Sequence, residues 1–140
     1  DIGYPPAELE QQIIQRGSVR HKLDQLKPCL DCAQILEARQ AVTQIHLSQK
    51  VAIYIHALIE ASRKHPMVMS GISTRGGINL ADAARAEAFL NGRDYVAPED
   101  VQAVALVVTA HRLILKPEHE FQNKKEIIRS LLQNLAVPMA

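Results

Sequence analysis

Val51, Ile55, Leu58, Ile59 and Ser62 recur at steps of three and four, the spacing that gathers side chains on one stripe of an α-helix. Glu60, Arg63 and Lys64 fall largely outside that stripe, so the segment is amphipathic and must bury one face. Both ends are marked: Ser48 can accept a hydrogen bond from the free amides of a first turn, and Pro66 stops the helix. Composition decides what the stripe packs against. Apolar residues make up 47% of the 140, but aromatics only 4% with no Trp, so the core must come from Leu, Ile, Val and Ala. Those proportions favour helices packed on helices. The length suits one domain over residues 1–140 with a real core.

The same reading extends along the chain to an all-α bundle of five to six helices. A first helix opens at Pro6, carries Glu8 and Glu10 in its early turns, sets Leu9 and Ile13 on one face and stops at Gly17. Residues 17–30 are polar, contain Pro28 and read as a connector. Asp31 then caps a second helix in which Ile35, Ala38, Val42 and Ile45 repeat. After the helix capped by Ser48, Met67 to Ile72 is apolar and short, fitting a buried loop or a strand. Ser73 or Thr74 caps a fourth helix reaching about Asn91. Its middle is small (Ala81, Ala83, Ala84, Ala86, Ala88), and Ile78, Phe89 and Leu90 are expected to supply bulk. Asn91-Gly92 is the stop, because glycine tolerates the left-handed conformation a helix end requires.

A fifth helix begins at Pro98-Glu99-Asp100 and turns Val101, Val104, Ala105 and Val108 inward. Pro117 to Glu120 reads as a loop. A last helix from about Asn123 to Asn134 carries Ile127, Ile128, Leu131 and Leu132, with Leu135 just beyond.

Several function classes are disfavoured. The 16 basic and 15 acidic residues are interspersed and leave a formal charge of +1, so no one-sign surface for nucleic acid or anionic membrane is evident. No apolar run approaches the length of a membrane span, and Asp1 to Pro6 lacks the regions of a signal peptide, so a cytoplasmic location is expected. Cys29 and Cys32 form a lone C-x-x-C. A structural zinc needs four ligands, and the six histidines lack paired spacing, so no metal site is expected. Catalytic motifs are missing as well: Gly76-Gly77 is a bare pair with no phosphate-loop lysine after it, and adjacent Glu99 and Asp100 point apart on a helix. No catalytic residue is expected within this chain.

One residue asks for a ligand. Arg75, in Gly71-Ile72-Ser73-Thr74-Arg75, falls in the first turn of a helix, where a five-donor guanidinium adds to the positive end of the dipole. An anion would explain it, and so would an ion pair with Asp82 or Glu87.

Gly71-Ile72-Ser73-Thr74-Arg75, the alanines at 84, 86 and 88, Gly92-Arg93-Asp94-Tyr95-Val96-Ala97-Pro98-Glu99-Asp100-Val101 and His111-Arg112 together resemble the C-terminal lid of MoxR-type AAA+ ATPases. The likeness continues through Ile2-Gly3-Tyr4-Pro5-Pro6, Ser62-Arg63-Lys64-His65-Pro66 and the ending Val137-Pro138, so it covers nearly the whole chain. It implies a helical lid whose sensor 2 arginine, here Arg75, reaches the terminal phosphates of ATP. ATP and magnesium would be held by an ATPase core preceding Asp1, and the chain alone would bind neither tightly. The implied partners are that core, neighbouring subunits of a homo-oligomeric ring, and a client protein matured by chaperone-like remodelling, including clients with an integrin-type metal-binding domain. Residues 31–45 would be the insertion that decides whether Arg75 serves its own or a neighbouring subunit. Arg93 and Asp94 would order a turn, Tyr95 and Val96 would fill the core beside it, and His111-Arg112 would end a helix. Thr74 departs from the proline common at its position, and Gly76-Gly77 should loosen the first turn by about 1 kcal/mol per glycine. Two other readings stand beside this one: a stand-alone helical interaction module, and the lid of a magnesium-chelatase-like ring ATPase.

Overall fold

The computed structural model describes residues 3–17 and 25–138. The chain divides into two units, Asp1–Ile35 and Leu36–Ala140. In the first, α1 (Ala7–Arg16) follows Pro6, carries Glu8 and Glu10 in its first turn and closes on Gly17 at φ +62°, whose amide donates to the Ile13 carbonyl at 3.1 Å. Leu9 and Ile13, 50% and 59% exposed, lie on a helix with no buried residue. The expected connector over 17–30 falls partly outside the described residues, at 18–24. α2 (Cys32–Gln44) spans the boundary between the units. Its start is a reciprocal capping box: the Gln34 amide donates to Asp31 Oδ1 at 2.8 Å and the Asp31 amide to Gln34 Oε1 at 2.9 Å.

The second unit is built on α3 (Gln49–Lys64), whose cap Ser48 accepts from the Val51 amide at 3.3 Å. Val51, Tyr54, Ile55, Leu58, Ile59 and Ser62 are buried, so the expected stripe is the observed one with Tyr54 added. Tyr54 belongs there because its ring is covered while its hydroxyl accepts from Gln102 Nε2 at 3.0 Å. Two cross-ties join loops far apart in sequence. His46 bridges the segment before Pro98, its amide donating to the Asp94 carbonyl at 2.8 Å and its carbonyl accepting from Val96 at 2.9 Å. The apolar segment after Pro66 forms β1 (Val68–Ser70), paired antiparallel with β2 (Ile114–Leu115). Among the described residues, that small sheet and the isolated His46–Tyr95 bridge are the departures from an all-α bundle.

α4 (Thr74–Leu90) and α5 (Pro98–Thr109) share the most extensive helix interface. Ala84 and Ala88 of α4 and Ala105 of α5 are fully buried, as close approach of backbones demands. The bulk in α4 is only partly where the sequence suggested, with Phe89 half-buried against the core. Ile78 and Leu90 are 58% and 78% exposed, and Leu80 is fully buried instead. The phase explains it: Gly76, Leu80, Ala84 and Ala88 follow one another at steps of four and face inward, which turns Ile78 and Leu90 out. α4 ends in a Schellman turn at Gly92, φ +70°, with Arg93 N donating to Ala88 O at 3.0 Å and Gly92 N to Phe89 O at 2.9 Å. A 3-10 turn over Ala110–Arg112 leads to β2, and another over Pro117–His119 leads to α6 (Lys124–Asn134), capped by Asn123 and burying Ile127 and Ile128.

Candidate functional site

The segment that carries Arg75 is held at its root by the end of α3. Ser62, fully buried, donates its hydroxyl to the Ile59 carbonyl at 2.7 Å and accepts from the Ile72 amide at 2.9 Å. Arg63 Nε donates to the Ile72 carbonyl at 3.0 Å. Both backbone groups of Ile72 are therefore satisfied by side chains of one helix turn, and its own side chain is fully buried. Gly71 makes this approach possible, since a Cβ there would stand 2.7 Å from the Arg63 backbone nitrogen and 2.8 Å from its Cα. Backbone cannot step aside as a side chain can. Gly71→Ala is expected to cost about 1–3 kcal/mol, as over-packing does, read as a fall in the lid's unfolding midpoint. Gly77→Ala, whose Cβ would come closest to the terminal Cδ1 of Ile59, at 2.4 Å, should cost less because a side-chain end can move.

From this root Ser73 caps α4, its hydroxyl accepting from Gly76 N at 3.1 Å. Arg75 lies in the first turn and is exposed. The Gly76-Gly77 pair does not shorten the helix, which begins at Thr74. Both glycines are buried, and added Cβ atoms would collide with Ile72 Cγ2 at 2.7 Å and with Ile59 Cδ1. They serve close packing, and that contact offsets their low helix propensity.

Among the described residues, the Arg75 guanidinium has no ion pair and no hydrogen bond. Its two candidate acids are engaged elsewhere on α4: Asp82 pairs with Arg85 at 2.8 Å, and Glu87 accepts from Asn91 Nδ2 at 3.2 Å. Among the described residues, neither acid therefore explains Arg75 by an ion pair.

Arg93 orders the turn between α4 and α5 as expected, but its partner is Asp100 and not Asp94, whose backbone carbonyl accepts from the His46 amide. The guanidinium grips the carboxylate with both prongs, Nη1 to Oδ2 at 2.6 Å and Nη2 to Oδ1 at 2.5 Å, and the Ala97 amide donates to Oδ2 at 2.8 Å. The Asp100 side chain is 2% exposed. Burial works against its ionisation, but the Arg93 fork and the Ala97 amide outweigh that and hold its carboxyl below the ordinary value. Asp100 is thereby spent on structure and is no acid/base partner for Glu99. Val96 is buried as expected, whereas Tyr95 is 53% exposed, its ring centroid 5.9 Å from the Arg93 guanidinium carbon. The ring covers the outer side of the ion pair, where a cation over its face is favoured. Arg112 lies just beyond the end of α5, in the 3-10 turn, with Nε donating to the Val108 carbonyl at 2.9 Å. Cys29 and Cys32 are free and exposed. A cleft of about 650 Å³ opens between the starts of α3 and α5 beside His46, Lys50, Tyr95 and Glu99, and Arg75 is not among its lining residues.

Ser62 and Arg63 carry more of this site than sequence reasoning gave them. The signal was present in Ser62, a hydroxyl on an otherwise apolar stripe, which a buried position obliges to find partners.

The AAA lid domain family matches residues 60–131, and the chain belongs to it, as a lid of the MoxR type of AAA+ proteins. It is 31% identical over 140 residues to YeaC of Bacillus subtilis, a protein of uncharacterized function, covering 99% of this chain and 44% of YeaC. Against the chaperone MoxR1 of Mycobacterium tuberculosis it is 30% identical over 149 residues, covering 99% of this chain and 39% of the relative. A crystal structure from Cytophaga hutchinsonii, provisionally assigned as an ATPase, superposes with a TM-score of 0.83 at 30% identity, over 99% of this chain and 45% of that one. The chain thus spans less than half the length of these relatives. Among the described residues, no helix is long and apolar enough to cross a membrane.

Proposed function

We propose that this lid presents Arg75, as a sensor 2 arginine, to the terminal phosphates of ATP held with magnesium by an AAA+ core in the same full-length protein. The lid would couple hydrolysis to movement between subunits of a homo-oligomeric ring, and through it to chaperone-like remodelling of a client. One observation carries the reading: an exposed guanidinium without an acid partner among the described residues, standing on the first turn of a capped helix whose root is clamped by Ser62 and Arg63. A charged fork so placed loses little entropy when a phosphate arrives, because its backbone is already fixed. The dipole of α4 acts in the same direction. The domain assignment follows, with residues 1–140 as lid and the phosphate loop supplied by the core.

A contact to the terminal phosphate favours ATP over ADP, so nucleotide preference tests it. Full-length protein carrying Arg75→Gln is expected to bind ADP as the unsubstituted protein does and ATP about tenfold more weakly, the loss of roughly one charge-assisted contact. Titration of both nucleotides reads this directly. An ATP affinity equal to that of the unsubstituted protein would remove the phosphate from the reading.

A further inference from the structure

From α3 onward, Arg63, Arg85, Arg93 and Arg129 each pair with a carboxylate, on Glu60, Asp82, Asp100 and Glu126. Arg75 and Arg112 do not, among the described residues, and the fold brings these two to the same turn of α4. Arg112 crosses that turn closely: its Cδ is 3.4 Å from where a Cβ on Gly76 would stand. The two are joined by one side chain. The Asn79 amide, turned so that its nitrogen faces the Arg75 carbonyl at 3.3 Å, offers its oxygen to Arg112 Nη2 at 2.7 Å. In that orientation each end of the amide meets a complementary partner. Asn79 lies one turn beyond Arg75 on the same face of the helix.

We infer that Arg112 is a positioning residue for Arg75, acting through Asn79. The inference rests on the proposed contact of Arg75 with nucleotide. Arg112 is anchored at its other end by the bond from Nε to the Val108 carbonyl, so the bridge runs from the last turn of α5 to the first turn of α4. The first turn is where a helix has the fewest bonds of its own, and Gly76-Gly77 removes the side chains that would otherwise stiffen it. A tie to the Arg75 carbonyl fixes the turn that aims the guanidinium. The clamp on Ile72 holds the root of the segment, whereas the Asn79 bridge holds the turn itself. The placement of Arg112 carries a second consequence. A cation without a carboxylate near the positive end of a helix is disfavoured on its own and adds to the field that draws an anion to Arg75.

The test uses full-length protein and ATP turnover at saturating ATP, with Arg75→Ala as reference. Asn79→Ala is the decisive variant, because position 79 is exposed and alanine is the better helix former there, so the thermal midpoint should hold or rise. Turnover is nevertheless expected to fall about tenfold, within the roughly 100-fold that a misplacement near 1 Å can cost. Arg112→Met, which keeps the stem over Gly76, should give a similar fall. Adding Asn79→Ala to Arg75→Ala should slow turnover no further, since both act through one group. A native rate in Asn79→Ala beside a slow Arg75→Ala overturns the inference and leaves the reading of Arg75 intact. So does a double variant slower by the product of the two. A native rate in Arg75→Ala removes the reading itself, and the inference with it. Should Arg112→Met fail to fold, Asn79→Ala alone decides.

Discussion

Full-length protein carrying Arg75→Ala is expected to turn over ATP about 100-fold more slowly at saturating nucleotide, the usual cost of removing one donor aimed at developing charge. The lid itself should not notice. Arg75 is exposed and its guanidinium makes no bond among the described residues, so stability should stay within about 0.5 kcal/mol. Arg75→Lys should recover only part of the rate, because an ammonium keeps the charge but not the planar fork. The loss should appear in kcat, as expected for an interaction that strengthens as charge builds on the transferring phosphate. Unchanged turnover in Arg75→Ala would end the sensor reading, whatever the affinity for ATP.

The second large effect concerns stability and has the opposite signature. Arg93→Ala should destabilise the lid by about 3 kcal/mol at neutral pH, because it leaves a buried carboxylate without its cation. Asp100→Ala should cost less, since Arg93, with 28% of its side chain exposed, can turn to water. The sign of the pH dependence follows from Asp100. Its folded-state pKa lies below the ordinary 3.8, so the pair's contribution is complete above that value and is lost as pH falls through the lower one. In Arg93→Ala the burial that remains pushes the same carboxyl upward, and protonation relieves the penalty. The gap in urea midpoint between the two proteins should therefore be widest near neutrality and shrink on acidification, starting above pH 3.8 as the stranded carboxyl takes up its proton and continuing below it as the intact pair is lost. A gap that widens on acidification would mean that Asp100 is not the group left stranded.

How much of this was legible in the sequence depended on whether a residue's partner was near it in the chain. Ser48, Asp31 and Gly92 announce helix ends because caps are local, and each stands where it was expected. The stripe of α3 was legible for the same reason. The phase of α4 was not, because five alanines and two glycines give a weak periodic signal and leave the choice between Ile78 and Leu80 to tertiary packing. The outward face of Tyr95 depends on Arg93 already being bound to Asp100, which no local pattern encodes. Arg75 could be singled out from its place at a helix start. The bond from Arg63 to the Ile72 carbonyl and the Asn79 bridge to Arg112 join residues whose spacing carries no motif, so they surfaced only with the fold.

The pairing of β1 with β2 looks minor as secondary structure, yet it sets the connectivity of the Arg75 segment. Each doubling of a closed loop adds only about 0.6 kcal/mol of lost chain entropy, and the span from Val68 to Leu115 is between two and three doublings longer than the turn from Leu90 to Pro98, or roughly 1.5 kcal/mol dearer. The hairpin of α4 and α5 closes cheaply upon itself. The segment leading to Arg75 is instead paired with a strand contributed from beyond that hairpin, so its geometry is inherited from distant chain. A lid wired in this way lets sequence change freely at the exposed arginine's neighbours while constraining residues forty positions away.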